Sequence, residues 1–172
     1  MSNRVKAIWA IVLLVVMILF GIGTFVLGEN STAVEIGEPA PDFTLLDVDD
    51  NEVSLSDYEG QLVMINFFAT WCPPCIEEAP DLQKFEENFG DKIKILIIDR
   101  AEPKVLVEEF IEKYKTTSTY LLDYNNSLSR PYGVIGQPET FFIDKNGIVR
   151  EHIKGPLKYE NFVDYFEKVK QY

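Results

Sequence analysis

The distribution of apolar positions divides this chain into a long uniform stretch and a patterned remainder. From Ala7 to Gly28 there is no charged residue and no polar face, and Ile, Val, Leu and Phe dominate. At about 1.5 Å per residue, roughly 22 such residues would cross a hydrocarbon layer of ~30 Å. Beyond it, short apolar runs alternate with segments of helical period. Leu62–Phe68 and Lys92–Ile98 read as buried strands, and Thr119–Leu122 as a short one. Phe43–Leu46 and Glu52–Leu55 flank Asp47-Val-Asp-Asp-Asn51, a hairpin with an Asp/Asn turn. Thr140–Ile143 and Ile148–Ile153 flank Asp144-Lys-Asn-Gly147, a second hairpin. Apolar residues at Ile76, Ala79, Leu82, Phe85 and Phe89 predict an amphipathic helix, with others over Val105–Tyr114, Ser127–Tyr132 and Tyr159–Val169.

This order of strand, helix, strand, helix, hairpin and final helix predicts an α/β domain with a mixed central sheet and helices on both faces. The domain organisation that follows is a cytoplasmic N-terminus and transmembrane helix over residues 1–28, a polar linker over 29–35, and one folded domain over 36–172. Arg4 and Lys6 precede the apolar segment and Glu29 follows it, so the positive-inside bias places the N-terminus in the cytoplasm and the domain outside the cell membrane. A cleaved signal peptide is the competing reading. Its apolar region would be shorter, about 7–15 residues, and would end at a small-x-small site, of which no good example is present.

Charge narrows the partners. The chain carries a net charge of −12, and the part beyond Arg4 and Lys6 is more acidic still. That excludes nucleic acid and charge-driven binding to anionic lipid. The acidic turn at Asp47–Asn51 lacks the spacing and terminal Glu of a calcium loop and reads as turn chemistry.

The candidate chemistry lies in Trp71-Cys72-Pro73-Pro74-Cys75, which holds the only two cysteines. They fall where a strand turns into a helix. Unpaired N–H groups and a partial positive charge at a helix start favour a thiolate, and a spacing of three lets the sulfurs form a disulfide. A permanent staple across two residues would constrain little of the unfolded chain. A zinc site would need four ligands, and the chain offers one histidine, His152, besides the pair. The reading is a reversible dithiol/disulfide, with no cofactor and no metal. Cys72, nearer the helix end and expected to be the more exposed, is the attacking sulfur and Cys75 the resolving one. Pro73 and Pro74 cannot donate a backbone hydrogen bond to a Cys72 thiolate, which points to a reducing couple. His152 falls in a strand pattern and reads as a surface residue.

With these residues in view, the chain resembles the thioredoxin-fold thiol–disulfide oxidoreductases, and more narrowly their membrane-anchored ResA/TlpA-like branch. The resemblance runs from about Val34 to the C-terminus. It rests on Ile36-Gly-Glu-Pro-Ala-Pro-Asp-Phe-Thr-Leu45, Asn66-Phe-Phe-Ala-Thr-Trp-Cys-Pro-Pro-Cys75, Pro80 and Gly136-Gln-Pro-Glu-Thr-Phe-Phe-Ile-Asp144. It implies a thioredoxin-like fold and site roles for several residues. Asn66 stands where thioredoxin itself carries a buried aspartate, so Glu78 is expected to take over proton transfer. Glu78 is expected on the helix surface, with Glu77 an ordinary solvated neighbour. Pro138 is expected to be cis and to face the disulfide, presenting the backbone of Gln137 to an extended substrate peptide, with Trp71 packed beside the cysteines. The implied substrate is a protein disulfide, such as the haem-binding cysteine pair of an apocytochrome c. The implied electron donor is a membrane protein relaying from cytoplasmic thioredoxin. A monomer is expected.

Two other classes compete. The opening at Ile36–Leu45 also resembles that of peroxiredoxins, which carry Thr three residues before the reactive cysteine and Pro seven before; here those positions hold Ala69 and Ile65. A non-catalytic binding module would have no need of the cysteine pair or Pro138. Spore-envelope synthesis is an alternative service for the same chemistry.

Overall fold

A computed structural model of the chain describes residues 33–172, together with the isolated positions Trp9, Val12, Leu13 and Met17. The contacts divide the chain into two units, Met1–Ser31 and Thr32–Tyr172. The apolar segment 7–28 expected to be an anchor lies, but for those four positions, outside the described residues. Among the described residues no helix is long and apolar enough to cross a membrane.

The second unit is built on a seven-stranded sheet. In chain order its strands are β1 (Thr44–Asp47), β2 (Glu52–Ser54), β3 (Val63–Phe68), β4 (Lys94–Arg100), β5 (Thr119–Asp123), β6 (Glu139–Ile143) and β7 (Val149–Lys154). Their order across the sheet is β2-β1-β5-β4-β3-β6-β7. β3, β4 and β5 run parallel, and the two hairpins add their strands antiparallel, giving the expected mixed sheet. Both hairpin turns are built as their sequences require. Asp47 Oδ1 accepts from the N–H groups of Asp49 and Asn51, and Asp144 Oδ1 from those of Asn146 and Ile148.

Strand period two sorts the side chains into two cores. Val63, Ile65 and Phe67 enter one cluster, closed by Phe43, Leu128, Tyr132 and Val134. Met64 and Phe68 enter the other, with Leu82 and Phe85 of α1 (Pro73–Phe89), Val107 and Phe110 of α2 (Lys104–Tyr114), and Phe162, Phe166 and Val169 of α4 (Tyr159–Val169). The short α3 (Ser129–Tyr132) and the 33–43 segment cover the first face. Helices thus lie on both faces, unequally.

β4 runs two residues later than its apolar run predicts. The N–H groups of Lys92 and Ile93 both turn back to the carbonyl of Phe89, closing the end of α1. At the other end Asp99 and Arg100 pair with Leu122 and Asp123 of β5, so the strand continues through polar residues. This extension carries Asp99, Arg100 and the residues after them to the same sheet end as the cysteine pair.

Candidate active site

β3 ends at Phe68, and the chain enters α1 through Ala69, Thr70 and Trp71, with Cys72 as N-cap and Pro73 and Pro74 as the first two helical residues. Proline is accommodated there because the first helical N–H groups have no intrahelical partner. Cys72 and Cys75 form a disulfide, with Cα atoms 5.3 Å apart. Among the described residues, the one N–H that reaches the Cys72 sulfur is that of Cys75, at 3.3 Å. The expected shortage of donors is therefore present.

The expected exposure is not. Cys72 and Cys75 are each 3% exposed. Cys72 is covered because the Gln137–Pro138 segment comes down on it: the peptide bond is cis, and the Gln137 carbonyl oxygen lies 3.6 Å from Cys72 Sγ. Pro138 is buried directly before β6. Trp71 does not join a core; it is 66% exposed. With Arg100, Ala101, Asn126 and Gln137 it lines an open pocket of about 210 Å³ beside the disulfide.

Glu78 also departs from its surface expectation. It is 2% exposed, because this face of α1 turns onto β3 and the chain entering α4. Asn66 Nδ2 donates to Glu78 Oε1 at 2.7 Å and the Leu157 N–H to Oε2 at 2.6 Å. Asn66 is itself pinned by a bond to Thr140 Oγ1. Burial pushes the Glu78 carboxyl up to about 7, against the pull of those two donors, which favour the carboxylate. Glu78, Asn66 and Cys75 line a cavity of about 10 Å³, room for at most a single water. Glu77 is exposed, as expected of a solvated residue.

The arrangement is a buried disulfide, covered on its Cys72 side by the Gln137 carbonyl and backed on its Cys75 side by a buried carboxyl. The AhpC/TSA family model matches residues 36–152. The ResA thiol-disulfide oxidoreductase of Geobacillus thermodenitrificans (strain NG80-2) is 37% identical over 142 residues, 82% of each chain. This chain belongs to the ResA thiol–disulfide oxidoreductases, within the AhpC/TSA family. ResA of Oceanobacillus iheyensis (strain DSM 14371) is 32% identical over 164 residues, covering 92% of this chain and 85% of its own. Among solved structures, a thiol:disulfide interchange protein of the thioredoxin family from Chlorobium tepidum superposes with a TM-score of 0.71 at 26% identity, covering 80% of this chain and 99% of that one. StoA from Bacillus subtilis does so with 0.66 at 25%, covering 74% and 97%. The ResA chemistry is thiol–disulfide exchange with protein disulfides, and the fold is the thioredoxin-like one expected.

Sequence reasoning missed a second layer of polar residues behind this ResA site. Glu102 is buried and accepts from both the N–H and the hydroxyl of Thr70, each at 2.6 Å, fastening the turn that carries Trp71. Ala101 reaches φ +64°, a left-handed conformation unusual for a residue with a Cβ, and so turns Glu102 back toward Thr70. Asp99 is buried beside Glu102. Desolvation, and then the neighbouring carboxyl, push its carboxyl far above the ordinary range, and its Oδ1 has no partner among the described residues. Arg100 joins the loops flanking the groove: its Nη1 donates to the Gln137 side chain and its Nε to Asn126 and Ser129. The signal for Asp99, Arg100 and Glu102 was charge directly after an apolar strand, which by itself reads as a strand end. His152 is corrected too: its side chain is half-buried, stacked on Phe141 at 4.0 Å and bonded to Glu139. Period-two reading places it outward but does not see the aromatic neighbour across the hairpin.

Proposed function

We propose that this chain is a membrane-tethered, extracytoplasmic reductant of protein disulfides. The observation that carries the reading is the pairing of a donor-poor Cys72 with a buried proton acceptor, Glu78, on the Cys75 side. In the reduced protein the Cys72 thiolate attacks one sulfur of a substrate disulfide. A mixed disulfide forms and the first substrate sulfur leaves as a thiolate. Glu78 then takes the Cys75 proton, and the Cys75 thiolate attacks Cys72 Sγ. The mixed disulfide breaks, the second substrate thiolate leaves, and two electrons have passed to the substrate as Cys72–Cys75 closes. One backbone donor stabilises the Cys72 thiolate less than a fully exposed helix N-terminus would, so the reduced form is the better electron donor. The substrate peptide lies along Gln137–Pro138 with Trp71 at its side, in the manner of strand addition.

The substrate proposed is the haem-binding cysteine pair of an apocytochrome c, and the donor that recharges the thiols is a membrane protein relaying electrons from cytoplasmic thioredoxin. The match to Oceanobacillus ResA supports the anchor, since 92% of the chain cannot be matched without entering the apolar segment. The family resemblance leaves a second service of the same chemistry, spore-envelope or general disulfide reduction, as the alternative. Ala69 and Ile65, both buried and apolar, offer nothing to a peroxide. Replacing Cys75 by Ser should trap the substrate on Cys72, and identification of the trapped protein decides between these services. Insulin reduction without peroxide consumption is the expected activity; the reverse would sink the reductase reading.

A further inference from the structure

Glu139 directly follows Pro138, and nothing in the chemistry above uses it. Its side chain is 3% exposed, at the start of β6. A carboxylate this deep is costly unless its oxygens are fully bonded. Every bond it makes is directed at the loop before it or at the ring behind it. Oε1 accepts from two successive backbone N–H groups, Ile135 at 3.0 Å and Gly136 at 2.9 Å. Oε2 accepts from His152 Nε2 at 2.7 Å, and that ring is held flat against Phe141. The clasped loop is otherwise open: Ile135 is 83% exposed, and the next peptide is the one whose carbonyl lies 3.6 Å from Cys72 Sγ. The other charges at this loop are elsewhere engaged or outward. Arg100 holds the Gln137 side chain, and Lys154, opposite Glu139 in the sheet register, is exposed.

We propose that Glu139, backed by His152, is a positioning residue for the peptide-docking loop. Its carboxylate pins the Ile135 and Gly136 amides so that the Gln137 backbone is preset at Cys72 before substrate arrives. A preset loop does not have to be ordered on binding, and the gain falls on peptide affinity rather than on sulfur chemistry. The inference rests on the reading of Gln137–Pro138 as the docking edge.

The test compares the full-length wild type with Glu139→Ala, Glu139→Gln and His152→Phe. Two readouts are taken: kcat and KM for insulin disulfides, and the rate at which the reduced protein attacks dipyridyl disulfide, which needs no peptide groove. Loss of two hydrogen bonds to a charged acceptor should raise the insulin KM about tenfold in Glu139→Ala, with the dipyridyl disulfide rate unchanged. Glu139→Gln should restore a KM near wild type, since its amide oxygen still accepts both N–H groups. His152→Phe keeps the stack on Phe141 and removes the ring N–H; it should raise KM in the same direction but less. Should Glu139→Ala fail to fold, His152→Phe carries the test. An unchanged KM, a Glu139→Gln variant as poor as the alanine, or a dipyridyl disulfide rate falling in step with insulin would each overturn the proposal. A wild type that attacks dipyridyl disulfide but shows no saturable insulin reduction would instead overturn the docking reading on which it rests.

Discussion

At Glu78 burial and hydrogen bonding pull in opposite directions, and burial wins. Its proton uptake is raised to about 7, while in the unfolded chain it titrates in the ordinary carboxylate range. Between those two limits the folded protein binds the extra proton, so this group's contribution to stability is complete below the ordinary range and is lost as pH rises through about 7. Asp99, raised by the same kind of burial, acts in the same direction. Glu78→Gln should behave accordingly. Glutamine has one acceptor where Asn66 and Leu157 supply two donors, so the variant should lose roughly 1–3 kcal/mol at pH 5. The deficit should shrink above neutrality, where the wild type must ionise a buried carboxyl; melting curves across that range measure it. The same substitution removes a negative charge beside the cysteines. Thiolate absorbance should therefore rise at lower pH in Glu78→Gln and be unmoved in Glu77→Gln. Equal shifts in both variants would remove Glu78 from the site.

At the level of elements, the site is made by two ends meeting: the N-terminus of α1 and the loop entering β6. α1 spends its first two helical positions on proline, so among the described residues the amide at Cys72 Sγ is that of the third, Cys75. Pro74→Ala restores an N–H at the position from which N-cap side chains are commonly bonded. It should lower the Cys72 thiolate pKa and make the couple more oxidising, away from the thioredoxin-like value of about −270 mV toward that of about −120 mV for DsbA. Equilibration against glutathione reads the shift, and an unchanged potential would refute the donor argument. Most of this level was legible beforehand. The strands, the long helices, both hairpins, the cysteine turn and Pro138 follow from period, turn chemistry and resemblance. What was not legible is burial that depends on a distant partner. Helical period puts Glu78 on the apolar stripe of α1 and Glu77 off it, but that a carboxyl stays buried there depends on Leu157, seventy-nine residues away. Glu102, Glu139 and His152 were hidden for the same reason, since each owes its role to a loop or strand that only the fold brings near.

For the whole molecule the decisive question is which side of a membrane the domain occupies. With residues 7–28 as an uncleaved anchor and the N-terminus in the cytoplasm, a membrane-impermeant thiol reagent should label reduced Cys72 in intact cells, and the protein should sediment with membranes. A soluble product beginning near Glu29 would defeat the anchor. A domain on the oxidising side must be recharged with electrons, so if the proposed membrane donor exists, its loss should leave the pair oxidised.

Trp71 gives the molecule an optical consequence. It is exposed and adjacent in sequence to the disulfide, and the only other indole, Trp9, lies in the N-terminal unit. A disulfide quenches the emission of a nearby indole, so opening Cys72–Cys75 should brighten Trp71. In a Trp9→Phe background, fluorescence becomes a continuous gauge of oxidation state with no dye attached. Binding of a peptide over the groove should shift the colour of that emission toward the blue, separately from its intensity. One residue would thus report electron transfer and substrate occupancy on two independent channels.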